Sequence, residues 1–360
     1  MMIMRGFNIF KTSVWLTRSL VAPVALCCGA ATGAQEATLS YSSELQTGFG
    51  EKANWVNLLQ LGASVGLGGG LSAQVGTIST SNTNGEHLIP DLLGFSNIEE
   101  ENIPLALERL GIGLSRDSWE LFLGIGNVNG AFFVTPVTSL FTNSSCGIFP
   151  TLSCNFSIAN FPDASMGVEG QYSNGGITVA TALYNGRGYH GFKGEDCVFR
   201  FNPGRDGIFN INAVNYSRYG NDYNMGVCLC HGPGGGNEDG AWLSSQAASP
   251  ERMRTDVAFW LYAEQKITGN LSVIAQYSRC PTVADGCRAF YGGGLACKAG
   301  RCDIGLYSCY ADFADTYEWA SELTFRYELS SILTVQPALH YVANPETRSV
   351  VGMLRLSVSI

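Results

Sequence analysis

Four charged residues share one side of the segment "YEWASELTFRYEL" (317–329), namely Glu318, Glu322, Arg326 and Glu328, and the first three are candidate functional residues. Successive side chains of an extended strand point to opposite faces, so the four form a polar row along one strand. The opposite face carries apolar or aromatic residues at all but one position: Tyr317, Trp319, Leu323, Phe325, Tyr327 and Leu329. A row of carboxylates with a guanidinium can bind the hydroxyl groups of a solute. The alternative is a network within the wall, in which Arg326 pairs with Glu322.

A second set combines aromatic rings with a carboxylate. Trp260, Tyr262 and Glu264 alternate with apolar residues and are therefore expected on one face of a strand. Rings on a face that lines water offer a flat apolar surface to the C–H face of a sugar, and Glu264 can accept its hydroxyl groups. In the alternative, a β-bulge turns the two rings into an aromatic girdle. Glu169, which precedes the turn "SNGG" (173–176), is a weaker candidate of the same kind.

The cysteines offer a different chemistry. Cys146 and Cys154 bracket a short segment that a disulfide would close, and this is the pairing we predict. In "CLCH" (228–231), the two cysteines and His231 could join Cys197 around zinc. Disulfides are favoured over zinc in an exported protein, and the segment lacks the spacer of a haem-attachment motif. No metal and no cofactor is predicted.

The elements that must position these residues are strands. Apolar residues alternate with polar or small ones along most of the chain, in segments of about ten residues joined by short turns such as "SRDS" (115–118) and "SNGG" (173–176). Longer connections separate these hairpins. Four of them, residues 129–164, 185–207, 228–253 and 279–315, contain all cysteines that follow the amino-terminal region. Short turns at one end and long loops at the other are typical of outer-membrane barrels.

The amino terminus predicts export. Basic residues precede an apolar stretch, "SLVAPVALCCGAATGA" (19–34), that ends in small residues, as in a signal peptide. We therefore predict a signal peptide at residues 1–34 and one domain at residues 35–360. Two of the twelve cysteines fall in the signal peptide, which leaves ten in the mature chain.

Composition narrows the class of protein. Charged residues make up 14% of the chain, whereas a soluble domain has about 25%. The formal net charge of −9 disfavours nucleic acid as a partner. The mature chain has no run of eighteen apolar residues, which argues against helical membrane spans. These features predict an all-β, transmembrane, antiparallel up-and-down β-barrel, in which the apolar faces contact lipid and the polar faces line a pore. A soluble β-sandwich, with the aromatic faces inside, is the alternative.

Two long segments resemble the carbohydrate-selective porin family, the OprB type. They are "GFSNIEEENIPLALERLGIGLSRDSWELFLGIGNVNGAFFVTPVTSLFTNSS" with the following "NFPDASMGVEGQYSNGGITVATALYNGRGY", and the carboxy-terminal "ELTFRYELSSILTVQPALHYVANPETRSVVGMLRLSVSI". The resemblance covers about residues 93–360 and is weakest in the cysteine-rich segments. It implies a barrel of about 16 strands, with 14 as the alternative because the chain is short for this family. It also implies that Arg301 and Asp303 lie in a loop, either narrowing the channel mouth or forming a solvated pair.

The resemblance implies a function as well. We expect a porin of a Gram-negative type outer membrane that is not an enzyme and lets small sugars diffuse passively into the periplasm, through a constriction formed by the 129–164 loop and wall residues. Its expected partners are the sugars and outer-membrane lipid, with a homo-oligomer as a possibility. The alternatives are a general diffusion porin, a barrel enzyme, and a secreted, disulfide-rich binding protein.

Overall fold

The structure is a computed structural model that describes residues 35–49, 53–85, 87–233 and 253–360. The predicted signal peptide (1–34) lies outside the described residues, as does most of the predicted loop at 228–253. The first described residue, Gln35, begins the first strand.

Sixteen antiparallel strands form one closed barrel. In chain order they are β1 Gln35–Thr47, β2 Ala53–Gly68, β3 Leu71–Asn82, β4 Ile103–Arg116, β5 Trp119–Gly126, β6 Ser165–Asn174, β7 Ile177–Asn185, β8 Ile208–Arg218, β9 Asn221–Pro233, β10 Met253–Lys266, β11 Leu271–Arg279, β12 Cys287–Ala299, β13 Cys302–Phe313, β14 Tyr317–Glu328, β15 Leu333–Ala343 and β16 Arg348–Ser359. Each strand pairs with its neighbours in sequence, and β1 pairs with β16 to close the barrel. The predicted fold is confirmed, with 16 strands rather than 14.

The two ends of the barrel differ, as the sequence predicts. One end carries tight turns, for example at Gly175 and Gly176, whose φ angles of +60° and +88° lie in the left-handed region that glycine adopts without strain. The other end carries the longer connections, among them residues 83–102, 127–164 and 186–207. These three segments bring side chains from distant parts of the chain into the barrel.

The strand that opened the sequence analysis shows which face is inside. Trp319 and Phe325 on its aromatic face are 52% and 39% exposed, whereas Glu318 and Glu322 are 0% and 1% exposed. A charged residue facing lipid at mid-depth costs about 2–4 kcal/mol, which explains why alternation is kept so strictly. The aromatic residues are therefore on the outer surface, and the soluble-sandwich alternative is wrong.

The prediction for the cysteine-rich segments was wrong in part. Residues 279–315, predicted as a long loop, contain the hairpin of β12 and β13, and Cys228 and Cys230 lie within β9. Three consecutive glycines, Gly292–Gly294, interrupt the apolar pattern of β12 and were a misleading loop signal. A bulge between Cys287 and Ala289 further shifts the alternation.

Short helices occur only in the long connections, as far as the described residues go. They are Asn129–Phe132, Pro150–Ser153 and Pro203–Asp206, with 3₁₀ turns at Thr138–Leu140 and Ser144–Cys146. A two-residue hairpin joins Phe192–Lys193 to Asp196–Cys197. None of the described helices is both long enough and apolar enough to span a bilayer.

Candidate functional site: the constricted lumen

The long inserted loop (residues 127–164) folds into the barrel and packs against one side of its wall. Phe149 lies between Trp260 on β10 and Phe290 on β12, with ring centroids 6.2 and 6.0 Å away. Phe133 also contacts Trp260, at 5.4 Å. Leu152 is completely buried. Because aromatic and aliphatic side chains of the loop are buried against the inner wall, hydrophobic packing holds the loop inside the lumen.

Glu322 on β14 fixes the middle of this loop. Its carboxylate accepts the backbone N–H of Thr142 at 2.9 Å, the Thr142 hydroxyl at 3.0 Å and the N–H of Asn143 at 2.9 Å. His340 on β15 lies 3.0 Å from the same hydroxyl through Nε2. Glu322 is 1% exposed. A buried carboxylate is tolerated here because several donors of the loop replace the water that it has lost.

Arg326 and Gln336 bind the long inserted loop just before Thr142, at Ser139 and Leu140. The Arg326 guanidinium donates to the carbonyl of Ser139 at 3.1 Å, and Gln336 Nε2 donates to the carbonyl of Leu140 at 2.7 Å. Arg326 also pairs with Asp303 on β13, at 2.9 Å. The predicted alternative of an Arg326–Glu322 pair is wrong. Four residues along a strand span about 13 Å, too far for direct contact.

Glu318 does for the short inserted loop (residues 83–102) what Glu322 does for the long one. It accepts the backbone N–H groups of Leu92 and Leu93 at 2.7 and 3.0 Å, and Nδ2 of Asn344 at 2.9 Å. Glu318 is completely buried. The two inserted loops are therefore bound by two inward positions of one strand, Glu318 and Glu322, with Ala320 between them.

The two inserted loops also bind each other. The N–H of Asn97 donates to the carbonyl of Thr142 at 2.7 Å, and the N–H of Ser144 donates to the carbonyl of Gly94 at 3.0 Å. These bonds satisfy backbone groups that would otherwise be buried without a partner.

Trp260, Tyr262 and Glu264 all face the lumen from β10, so the alternative of a bulge does not apply to this strand. Glu264 accepts the N–H of Val137 at 3.1 Å and the Tyr262 hydroxyl at 2.8 Å. Trp260 donates through Nε1 to Asn224 at 2.6 Å. All three side chains are buried beneath the long inserted loop. A solute would reach them only if that loop left its place.

Glu169 on β6 has different surroundings. It forms a two-pronged ion pair with Arg109 on β4, with contacts of 3.1–3.2 Å, and accepts the Tyr184 hydroxyl at 2.9 Å. Arg109 Nε donates to Gln74 at 2.7 Å, and its guanidinium lies 3.5 Å from the centroid of the Phe122 ring. The side chains of Arg109 and Glu169 are 33% and 12% exposed. The Tyr184 hydroxyl also lies 3.3 Å from the carbonyl of Asn127 in the long inserted loop. Arg109 and Glu169 themselves form no hydrogen bond to an inserted loop among the described residues and keep part of their surface in the lumen.

Arg109 was missed by the sequence reasoning. The register of β3 and β4 shifts between Gly76 and Thr77, which leaves an extra residue in β4 beside Arg109. A strict two-residue alternation cannot place residues on both sides of such a bulge. The available signal was the pair "ER" (108–109) between apolar stretches that differ in phase.

Arg301 and Asp303 lie at the end of the barrel opposite to the long connections. Arg301 is in the tight turn between β12 and β13, and its carbonyl accepts the N–H of Glu328 at 3.0 Å. Asp303 is the second residue of β13, binds Arg326, and has Lys298 Nζ at 3.7 Å. They are thus not in a long loop, and the pair that forms is Asp303 with Arg326.

All ten cysteines of the described residues are free, so the predicted Cys146–Cys154 disulfide is absent. The reason is that the loop directs them to different wall strands. Asn155, next to Cys154, exchanges two hydrogen bonds with the backbone of Cys287, at 2.7 and 2.8 Å. The zinc alternative fails as well, since His231 lies on the outer face beside Thr255, and no candidate metal cluster occurs among the described residues.

His190 links three of the long connections, at the end of the barrel that carries them. Its Nδ1 lies 2.8 Å from Asp163, and its Nε2 lies 3.4 Å from both Glu101 and Asp196. The hydrogen bond with Asp163 is the main reason that the pKa of His190 rises from 6.5 to about 9. The imidazolium therefore persists at neutral pH and ties the three segments together electrostatically.

The barrel with its inserted loops is similar to solved porin structures. Pseudomonas putida OprB at high pH matches with a TM-score of 0.73 and 16% identity, over 96% of each chain. The low-pH structure of the same protein gives a TM-score of 0.58 at 15% identity, over 97% of this chain and 99% of that one. The anion-selective porin from Comamonas acidovorans gives 0.60 at 14% identity, over 91% of this chain and all of that one.

The chain has the porin fold. No protein-family model and no curated protein sequence matches it, so the likeness rests on the course of the backbone. At such low identity the porin structures assign no individual residue of this barrel. The roles of its lumen side chains must follow from their own contacts.

Proposed function

We propose that this barrel is an outer-membrane porin through which small sugars diffuse passively into the periplasm. Three features support a diffusion channel: a closed barrel with an apolar outer face, a lumen narrowed by two docked loops, and similarity in fold to porins. The long connections would face the cell exterior and the tight turns the periplasm. The preference for sugars is suggested by the resemblance seen in the sequence and by the chemistry of the open lumen.

The Arg109–Glu169 group is the observation that carries the sugar proposal. Its two charges compensate each other, so a neutral solute meets fixed polar groups without a large net field. A two-pronged pair uses one N–H of each terminal nitrogen of Arg109, which leaves the second N–H of each for a solute hydroxyl. Contacts of this kind are weak enough to release the solute, as diffusion requires.

Burial distinguishes the Arg109–Glu169 group from Glu318, Glu322 and Glu264. Glu318, Glu322 and Glu264 are held by backbone N–H groups of the loops and position the constriction. Arg109 and Glu169 keep part of their surface in the lumen. In this proposal the three buried glutamates decide the width of the channel. The Arg109–Glu169 group decides its preference among solutes of similar size.

A liposome-swelling experiment tests the proposal. Proteoliposomes containing the porin should swell faster in neutral sugars than in amino acids of similar size, and Arg109→Gln should reduce that preference. Arg116→Gln is the matched control, because Arg116 ends the same strand yet lies in the tight turn, away from the Arg109–Glu169 group. Equal swelling rates for both solute classes would leave a general diffusion porin. No swelling at all would refute the channel.

A further inference from the structure

A groove on the outer surface crosses four strands, β8 to β11, near the end with tight turns. Its volume is about 470 Å³, within the range of small-molecule sites. Its floor is formed by Ala263 and Ala275, which are paired in register on β10 and β11. Leu261 and Tyr277, also paired in register, border the floor on the side away from the turns. The groove thus arises because two small residues lie beside a row of large ones.

Two stacked tyrosines form the other border. Tyr216 and Tyr223 face each other across β8 and β9, with ring centroids 6.3 Å apart and an interplanar angle of 23°. Tyr223 pairs in register with Ala263, so its ring stands directly beside the floor. The lining is overwhelmingly apolar, and the groove opens towards the space that hydrocarbon occupies around a membrane barrel.

One cation lies beyond the tyrosines on the same face. Arg218 follows Tyr216 by two residues at the end of β8, with its guanidinium carbon 4.8 Å from the centroid of the Tyr219 ring. No ion pair to Arg218 occurs among the described residues. From Val214, at the deep end of the groove, to Arg218 is four residues, or about 13 Å. Because barrel strands are tilted by about 35–45°, this length corresponds to about 10 Å of depth, or about two-thirds of the roughly 15 Å hydrocarbon thickness of one leaflet.

We propose that this groove is a phospholipid site, in which one acyl chain lies over Ala263 and Ala275 and the phosphate binds Arg218. The shape favours a flexible chain, because rings border the narrow floor on both sides. The Arg218 guanidinium, which has no ion-pair partner among the described residues, complements a phosphate at the water boundary. The position of the groove near the tight turns selects the leaflet on that side. This inference needs the barrel to lie in a bilayer but does not depend on which solute it conducts.

Native mass spectrometry of the intact porin in non-ionic detergent tests the site. Phosphatidylglycerol and a diacylglycerol with the same acyl chains would be added in parallel. We expect one tightly retained phosphatidylglycerol per barrel and little diacylglycerol. Arg218→Gln should weaken phosphatidylglycerol retention roughly tenfold, as expected for the loss of one charge-assisted contact. Arg116→Gln, which removes a cation from the corresponding turn of another hairpin, should leave retention unchanged.

Filling the groove gives an independent test. The double variant Ala263→Phe/Ala275→Phe should abolish retention, whereas Val350→Phe, on the exposed outer face of β16 and away from the groove, should not. Heat-modifiable migration on gels would verify that each variant is folded. Unchanged retention in the filled variant would overturn the proposal. A shift of the filled variant from an oligomer to a monomer, with lipid retention unchanged, would also overturn it, since the groove would then be a contact between copies of the chain.

Discussion

The two sides of the lumen use the same residue types for different purposes. On the side formed by β10 to β16, glutamates are buried and bind backbone N–H groups of the inserted loops. On the side formed by β4 to β7, Glu169 pairs with a guanidinium and keeps some contact with the lumen. Glu322 is 1% exposed and the Glu169 side chain is 12% exposed. The comparison shows that the hydrogen-bond donor determines the role of a lumen carboxylate. A backbone N–H donor makes it a support for a loop, and a guanidinium makes it part of a polar group in the lumen.

The largest expected effect comes from breaking the loop-bound side. In Glu322→Ala, the N–H groups of Thr142 and Asn143 lose their acceptor while buried, at about 1–3 kcal/mol for each group. We expect the long inserted loop to leave the wall, so that single-channel conductance in planar bilayers rises and fluctuates. Glu322→Gln keeps one acceptor oxygen and should fall between the wild type and Glu322→Ala. Unchanged conductance in Glu322→Ala would mean that packing around Phe149 and the remaining hydrogen bonds hold the loop without Glu322.

Removing the guanidinium from the open side should act on selectivity instead of width. In Arg109→Gln, Glu169 loses its counter-charge and leaves a net negative charge in the lumen. The reversal potential under a salt gradient should shift towards cation selectivity, with a modest change in conductance. The double variant Arg109→Gln/Glu169→Gln restores neutrality and should return the reversal potential to near the wild-type value. A double variant as cation-selective as the single one would contradict the assignment.

The effect of pH on the end of the barrel with the long connections should be intermediate in size. The pKa of His190 is raised in the folded state, so its contribution to stability is fully present below about pH 6.5 and is lost as pH rises through about 9. Deprotonation weakens its attraction to Glu101, Asp163 and Asp196 together. We therefore expect the three long connections to separate above pH 9. Limited proteolysis within them should then become faster. His190→Gln should be sensitive already at pH 7 and lack this transition.

The smallest effect is expected at Arg326, near the tight-turn end of the loop-bound side. Arg326 binds the carbonyl of Ser139 and the carboxylate of Asp303, but its side chain is 27% exposed. Partly exposed pairs contribute about 0–1 kcal/mol. Arg326→Gln should change the midpoint of heat-modifiable unfolding by a few degrees at most and leave conductance nearly unaltered. An effect as large as that of Glu322→Ala would place Arg326 among the principal supports of the loop.

Sequence patterns worked where one residue's environment follows from its neighbours along the strand. The alternation in 317–329 predicted both the strand and the outward position of Trp319. It failed wherever the register shifts. The bulge in β4 concealed Arg109, and the one in β12, with three glycines, made a strand resemble a loop.

The sequence by itself determined an antiparallel barrel with its apolar face outside, because alternation between lipid and water is a local property that recurs every two residues. Only the tertiary structure decided what the lumen residues bind. Glu322 meets Thr142 from 180 positions earlier in the chain, and Cys287 meets Asn155 across 132 positions. Such partners depend on how two long loops fold back into a closed barrel, and no periodicity within a strand carries that information.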